Sequence, residues 1–129
     1  MAIGDHQKWL ERVFYDLETA KAMLQTGRLI YAVFMCQQSL EKCFKALLTF
    51  QDKEILPIHN LRRLAEMASI ISELDEPALI RIDFLSGYYI NARYKEDLRQ
   101  LSKGISEQIA GDFIQFSEGL ISQICQKMK

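Results

Sequence analysis

Glycine and proline are scarce in this chain, with 6 Gly and 2 Pro among 129 residues, while 49% of the residues are hydrophobic. A fold made of many tight turns needs more glycine and proline, and a disordered chain has fewer apolar residues, so both classes are excluded. A chain of this length buries roughly two-thirds of its unfolded surface and needs neither disulfides nor a structural metal to fold. We expect one helix-rich domain over residues 1–129.

An excess of charge of either sign is also absent, because 16 Lys and Arg residues face 17 Asp and Glu residues, for a net charge of -1. The chain therefore has no overall basic field to hold a long nucleic acid, although this balance allows a local basic patch. The longest apolar run, residues 29–36, is far too short to cross a bilayer, and the residues before Trp9 lack the layout of a signal peptide. We expect a cytoplasmic protein without membrane association.

Cysteine and histidine are few. The three cysteines, Cys36, Cys43 and Cys125, form no C-x-x-C pair, and the two histidines are His6 and His59. Cys36 and Cys43 fall on one predicted helix, about 10 Å apart along its axis and beyond disulfide reach. We interpret all three cysteines as small buried hydrophobes and expect no metal and no cofactor. The common phosphate-loop, dinucleotide, zinc-protease and serine-hydrolase motifs are absent.

Apolar residues recur at three- and four-residue steps over most of the chain, which predicts helices, and no strand pattern is found. The predicted helices run from Asp5 to a stop at Gly27, from Leu29 to Phe50, from Leu61 to Ile71, from Pro77 to Tyr94 and from Ile105 to Cys125. Five helices with short loops predict an all-α, antiparallel up-and-down bundle. The short connection after Gly27 predicts that the first two helices form an antiparallel hairpin.

Several details of these helices carry further expectations. The first half of the second helix is apolar on more than one side, which predicts the most buried stretch of the fold. Asn60 is a suitable N-cap for the third helix, and Pro77 suits the first turn of the fourth. Gly87 weakens the fourth helix by roughly 1 kcal/mol relative to Ala, so we interpret it as a mark of close helix packing.

The last helix carries two apolar stripes. Ile109, Phe113, Phe116, Leu120 and Ile124 form one, and Ala110, Ile114, Ile121 and Cys125 form the other. This apolar face is wider than a single groove would bury. It indicates either a surface for self-association or a helix at the centre of the bundle.

Lys42 and Lys45 are the first candidate functional residues. They lie about one turn apart on the second helix and are suited to contact a phosphate. The alternative is a surface ion pair between Glu41 and Lys45, which are four residues apart in the favourable order.

The second candidate is the segment that holds Tyr89, Arg93 and Tyr94. Aromatic rings beside a guanidinium suit base stacking and bidentate phosphate binding. The alternative places Tyr89 in the core and Arg93 against helix carbonyls or an acidic side chain. His59, just before the third helix, is by itself typical of a packing or capping residue.

The segment 34–48, FMCQQSLEKCFKALL, is followed by the segment 57–61, PIHNL, and then by the segment 89–94, YINARY. In this order these segments resemble the small stand-alone HEPN-domain proteins of bacteria and archaea, over roughly residues 9–127. The resemblance implies an α-helical bundle that often dimerises, is proposed to bind nucleotides and commonly acts beside a minimal nucleotidyltransferase in toxin-antitoxin-like pairs.

Several HEPN branches are metal-independent ribonucleases that use an arginine followed four to six residues later by a histidine. That motif is absent here, because no histidine follows His59. In-line attack by a ribose hydroxyl needs an acid-base group near the phosphate, so the sequence argues against this activity. The leading hypothesis is a non-catalytic module that binds a nucleotide or RNA end or docks a nucleotidyltransferase. The expected nucleotide-binding residues are Lys42, Lys45, His59, Tyr89, Arg93 and Tyr94.

Two alternatives remain open from the sequence. One is a divergent ribonuclease in which Arg93 stabilises the phosphorane charge and His59 is the base. The other is a bare dimeric helical scaffold. The resemblance and the wide apolar face of the last helix together predict a homodimer with Arg93 and Tyr94 of both subunits near the dimer groove.

Overall fold

The computed structural model of the protein describes residues 5–90, 100 and 103–129. These residues form helices α1 (Asp5–Gln25), α2 (Leu29–Phe50), α3 (Leu61–Met67), α4 (Glu76–Ile90) and α5 (Glu107–Gln126), with a 3₁₀ turn at Ile71–Glu73. The all-α helical prediction is confirmed, and no strand occurs in the described ranges. The predicted end of the fourth helix, residues 91–94, lies outside them.

The first two helices form the predicted hairpin, which is closed at Gly27. The backbone of Gly27 has φ +77, a region that a residue without Cβ adopts at no steric cost. The amide of Gly27 donates to the carbonyl of Leu24 at 3.1 Å, and the amide of Arg28 donates to the carbonyl of Met23 at 2.8 Å. These bonds satisfy the last carbonyls of α1 and turn the chain directly into α2.

Helix α2 is the centre of the bundle, since it packs against α1, α3, α4 and α5. Its burial differs from the prediction, because the second half is the more deeply buried. Tyr31 in the first half is 48% exposed, whereas Leu40, Phe44 and Leu48 in the second half are fully buried. The reason is that α2 meets α3 and α4 in addition to α1 and α5, and these neighbours cover sides that the sequence pattern could not assign.

Helix α3 ends at Met67 and not at Ile71, which corrects the predicted boundary. Ser69 has φ +61 and interrupts the helical path, and its amide donates to the carbonyl of Glu66 at 3.0 Å. The apolar spacing that favoured a longer helix instead serves a 3₁₀ turn. At the other end the prediction is confirmed, because the side chain of Asn60 accepts a hydrogen bond from the amide of Arg63 at 2.9 Å.

Helix α4 is held against α3 by polar contacts. Ser86 Oγ accepts from the Leu61 amide at 2.9 Å. The Arg62 guanidinium donates to both carboxylate oxygens of Asp83, at 3.0 and 2.7 Å. Pro77 lies in the first turn of α4, as predicted. The interpretation of Gly87 is wrong, because Gly87 is exposed and no described atom lies within 4 Å of a Cβ added there.

The two apolar stripes of α5 have different surroundings. Ala110, Ile114 and Ile121 of the second stripe are buried in the core. In the first stripe Ile109 is 39% exposed, and the Phe113 ring stacks on Phe84 of α4 with centroids 5.1 Å apart. The surplus apolar surface that the sequence indicated therefore lies where Phe84 of α4 meets Ile109 and Phe113 of α5. This surface is called the α4–α5 face below.

Candidate functional site

A buried polar cluster lies where α2, α4 and the segment before α3 meet. Gln37, Glu41 and Lys45 succeed one another at four-residue steps, which places them on one face of α2. All three are buried, with relative exposures of 0%, 7% and 7%. Burying a carboxylate and an ammonium group costs free energy unless both are paired, so their partners decide what the cluster does.

Glu41 is the hub of this cluster. Its carboxylate accepts hydrogen bonds from Lys45 Nζ at 2.9 Å, from Gln37 Nε2 at 3.0 Å and from His59 Nδ1, which lies 3.0 Å from both oxygens. Burial by itself disfavours the charged form, but the three donors outweigh it and hold the pKa of Glu41 below its usual value. Glu41 is therefore a carboxylate, not a carboxylic acid, at neutral pH.

His59 is oriented from two directions. Its carbonyl accepts from Gln37 Nε2 at 3.1 Å, and its ring faces Glu41 through Nδ1. A carboxylate only accepts hydrogen bonds, so Nδ1 carries a proton and Nε2 is the ring nitrogen that Glu41 leaves unoccupied. The side chain is 50% exposed, whereas the side chain of Glu41 is only 9% exposed. His59 thus links a buried carboxylate to the surface.

Aromatic rings support His59 on one side. The His59 ring lies against Tyr89 of α4, with centroids 5.1 Å apart and an interplanar angle of 30°. Tyr89 in turn stacks on Phe34 of α2 at 5.5 Å and 9°. This row of three contacting rings limits the rotation of the imidazole and presents a flat apolar surface beside its polar edge. Gln37, Glu41, Lys45, His59 and Tyr89 are called the His59 site below.

The fold brings together three of the sequence-predicted residues, namely Lys45, His59 and Tyr89. Lys42 is directed elsewhere, because its ammonium group pairs with Asp16 of α1, which is itself buried. This ion pair ties α1 to α2. The remaining two predicted residues, Arg93 and Tyr94, lie outside the described residues.

Sequence reasoning missed three members of the arrangement, namely Gln37, Glu41 in its role as hub, and Phe34. It identified the Glu41–Lys45 ion pair but placed it at the surface, and the structure shows it buried. The available signal was the four-residue spacing of polar side chains within an otherwise apolar helix. A polar row that continues through a buried helix face indicates a polar partner on a neighbouring element.

The cysteines match their interpretation in part. Cys36 and Cys43 are buried hydrophobes, whereas Cys125 is only partly buried. Cys125 of α5 neighbours Cys43 of α2, and this neighbouring thiol lowers the pKa of Cys125 to about 7. Within the described part of the chain, no group of three or more histidine, cysteine or acidic residues could hold a metal ion. None of the described helices is long and apolar enough to span a membrane.

These features define an all-α bundle with a carboxylate–histidine pair between its central helix and the segment before α3. The chain matches the family model of the HEPN domain over residues 6–128. It therefore belongs to the HEPN domain family, and the resemblance carried by the three sequence segments is confirmed.

Two solved structures are similar over almost the whole of both chains. The crystal structure of TT1696 from Thermus thermophilus has a TM-score of 0.83 at 20% sequence identity and covers 97% of this chain and 99% of that one. The structure of ST0689, an archaeal HEPN homologue, has a TM-score of 0.75 at 25% identity, with coverages of 96% and 98%. No curated protein gives a match.

Proposed function

We propose that this HEPN protein is a single-domain, non-catalytic module that binds a nucleotide or an RNA end at the His59 site. The observation that carries the proposal is the convergence of Lys45, His59 and Tyr89 from three separate segments. Together they present the partly exposed imidazole of His59, which is backed by the stacked rings of Tyr89 and Phe34. Stacked aromatic side chains beside a hydrogen-bonding edge suit a nucleobase and its phosphate.

The charged groups of the site favour an anionic ligand through a local positive field, not through the net charge of the protein. The carboxylate of Glu41 and the ammonium group of Lys45 are in contact, so their charges largely cancel. The remaining positive charge of the proposed site comes from His59 when protonated and from Arg93, which follows Tyr89 by four residues in the sequence. Tyr94 adds an aromatic ring next to Arg93. A local field of this kind is sufficient for a small anion despite the net charge of -1.

Calorimetric titration with ATP, GTP and a short RNA tests this function. We expect saturable binding to the wild-type protein and a loss of at least about tenfold in affinity for Arg93→Ala, as for a charge-assisted hydrogen bond. Arg12→Ala is the matched control, because Arg12 is an exposed arginine of α1. Flat titrations with all three ligands would contradict the proposal and leave the docking of a nucleotidyltransferase as the function to be tested.

A divergent ribonuclease is the second candidate, and the Glu41–His59 pair favours it. A carboxylate that fixes one imidazole nitrogen leaves the other able to accept a proton from a ribose hydroxyl. In this alternative Arg93 stabilises the charge on the phosphorane. Cleavage of a short RNA by the wild-type protein but not by His59→Ala would establish it, and intact RNA after prolonged incubation would exclude it.

We also propose that the protein is a cytoplasmic homodimer that associates through the α4–α5 face. Ile80, Phe84 and Ile109 expose 61%, 44% and 39% of their surface on this face. Contiguous exposed apolar side chains are typical of interfaces, and a two-fold axis would bury the patch against its own copy. If light scattering at micromolar concentration reports a 15.0 kDa particle, the dimer is excluded. Two alternatives remain for this face. It could dock a nucleotidyltransferase, as in toxin-antitoxin-like pairs, or the dimer that it forms could be a bare helical scaffold.

A further inference from the structure

We propose that His59 contacts a terminal phosphate of the ligand through Nε2, that Glu41 is its positioning residue, and that binding is coupled to the uptake of one proton by the imidazole. This inference rests on the proposed function and specifies the ligand of the same site. The ligand class is a phosphomonoester, either of a free nucleotide or of a phosphorylated RNA end. In this inference His59 makes the phosphate contact and Lys45 has a supporting role.

Lys45 is paired with Glu41 inside the cluster. Its ammonium group lies 2.9 Å from Glu41 Oε2, and its side chain is only 9% exposed. A lysine that reached outward to a phosphate would abandon a buried carboxylate, which is costly. Lys45 therefore balances the charge of Glu41 and does not reach the ligand.

Glu41 orients the ring of His59. Nδ1 lies 3.0 Å from both oxygens of Glu41, so this nitrogen donates inward in either charge state of the ring. In the neutral ring Nε2 is an acceptor, and an acceptor does not hydrogen-bond to a phosphate oxygen that carries no proton. In the protonated ring Nε2 becomes a donor. The phosphate therefore selects the protonated ring, and the ring takes up a proton as the ligand binds.

The charged surroundings of His59 agree with this coupling. Among the described residues, the titratable groups that face the imidazole are Glu41 from α2 and the phenol of Tyr89 from α4, with Lys45 behind Glu41. Glu41 stabilises the imidazolium by its negative charge, and Lys45 opposes it. A protonated His59 then supplies one unbalanced positive charge, which favours a phosphomonoester over an uncharged nucleoside.

Two substitutions separate the two ring nitrogens. In His59→Asn the amide nitrogen lies near the position of Nδ1, so contact with Glu41 is retained and the outward donor is lost. In His59→Gln the amide nitrogen reaches the position of Nε2 and replaces the outward donor with one that never titrates. The side chain is half exposed, so thermal unfolding should show that both variants fold.

The experiment is calorimetric titration at pH 7.5 in buffers with different ionisation enthalpies, which measures the protons taken up on binding. The probes are AMP against adenosine, and a short RNA with a 5′-phosphate against the same RNA with a 5′-hydroxyl. We expect net proton uptake for the phosphorylated probes with the wild-type protein. His59→Gln should bind without uptake, His59→Asn should bind at least about tenfold more weakly than His59→Gln, and Glu41→Gln should reduce the uptake.

The outcomes distinguish this inference from the proposed function. Binding of AMP with no proton uptake, or equal affinity of His59→Asn and the wild-type protein, would overturn the role of Nε2 and leave nucleotide binding intact. Equal affinity for AMP and adenosine would overturn the terminal phosphate in the same way. Absence of binding to the wild-type protein for every probe would overturn both. Uptake with AMP but not with the phosphorylated RNA would identify the free nucleotide as the ligand.

Discussion

Nδ1 of His59 lies 3.0 Å from both carboxylate oxygens of Glu41, although the two residues are 18 positions apart in the chain. Glu41 occupies a buried position on the central helix, and His59 is held at the surface by the segment that leads into α3. The pair is therefore a direct connection between the core and the proposed binding site. Substitutions in the core should alter the site, and conditions that protonate Glu41 should loosen it.

Replacement of Lys45 tests how strongly the buried ion pair supports the fold. Lys45→Met removes a donor from a carboxylate that remains buried, so we expect a loss of about 3 kcal/mol in the free energy of unfolding. Denaturant unfolding followed by circular dichroism measures this loss. Lys21→Met is the matched control, because the Lys21–Glu118 ion pair is far more exposed than the Lys45–Glu41 pair and should contribute far less. Equal losses for the two variants would show that burial does not strengthen the Lys45 pair.

The pH dependence of stability should report on Glu41. In the unfolded chain this carboxyl titrates near its ordinary pKa of 4.5, whereas the folded pKa is lower despite the opposing effect of burial. Its contribution to stability is therefore complete above about pH 4.5 and is lost as the pH falls through the folded pKa. The stability difference between the wild-type protein and Glu41→Gln, measured between pH 7 and pH 3, should shrink over the acidic part of this range. A difference that stays constant would contradict the assignment.

The three thiols should differ in their rates of alkylation. The neighbouring Cys43 thiol lowers the pKa of Cys125 to about 7, so a substantial fraction of the Cys125 thiol is ionised at pH 7.5. Burial raises the pKa of Cys36 to about 12, and the neighbouring Cys125 thiol together with burial raises the pKa of Cys43. Mass spectrometry after brief treatment with iodoacetamide should find one modified cysteine, Cys125. Under the same treatment Cys125→Ser should remain unmodified until it is unfolded.

The α4–α5 face can be tested by placing one charge on it. Ile80→Glu places a carboxylate on the most exposed apolar residue of this face, so it should convert the proposed dimer to a monomer in light scattering. Stability should change little, because Ile80 is 61% exposed. Phe14→Glu introduces the same charge at a 48% exposed position of α1 and should leave the dimer intact. Dissociation by both variants, or by neither, would argue against this face.

Helix positions could be read from the sequence because they depend on local patterns. The span of α2 over Leu29–Phe50 and the cap at Asn60 follow from apolar spacing, turn residues and side-chain capping. The end of α3 could not be read in this way. The apolar spacing continues past Ser69, whose positive φ leaves no mark in that spacing.

The composition of the His59 site was only partly readable. The sequence singled out Lys45, His59 and Tyr89 as separate candidates, each with a plausible structural alternative. It could not show that they meet, because contacts between residues far apart in the chain depend on how the helices pack and not on local periodicity.

The spacing of Glu41 and Lys45 on one helix predicted their ion pair, but only tertiary structure decided that the pair is buried. Burial follows from the way α1, α3, α4 and α5 pack around α2, and it changes what the ion pair contributes to the protein. On the surface the pair would contribute a few tenths of a kcal/mol, whereas in the core the carboxylate is paired with three donors. One of those donors is His59, and that contact turns a lone histidine before a short helix into the oriented centre of a site.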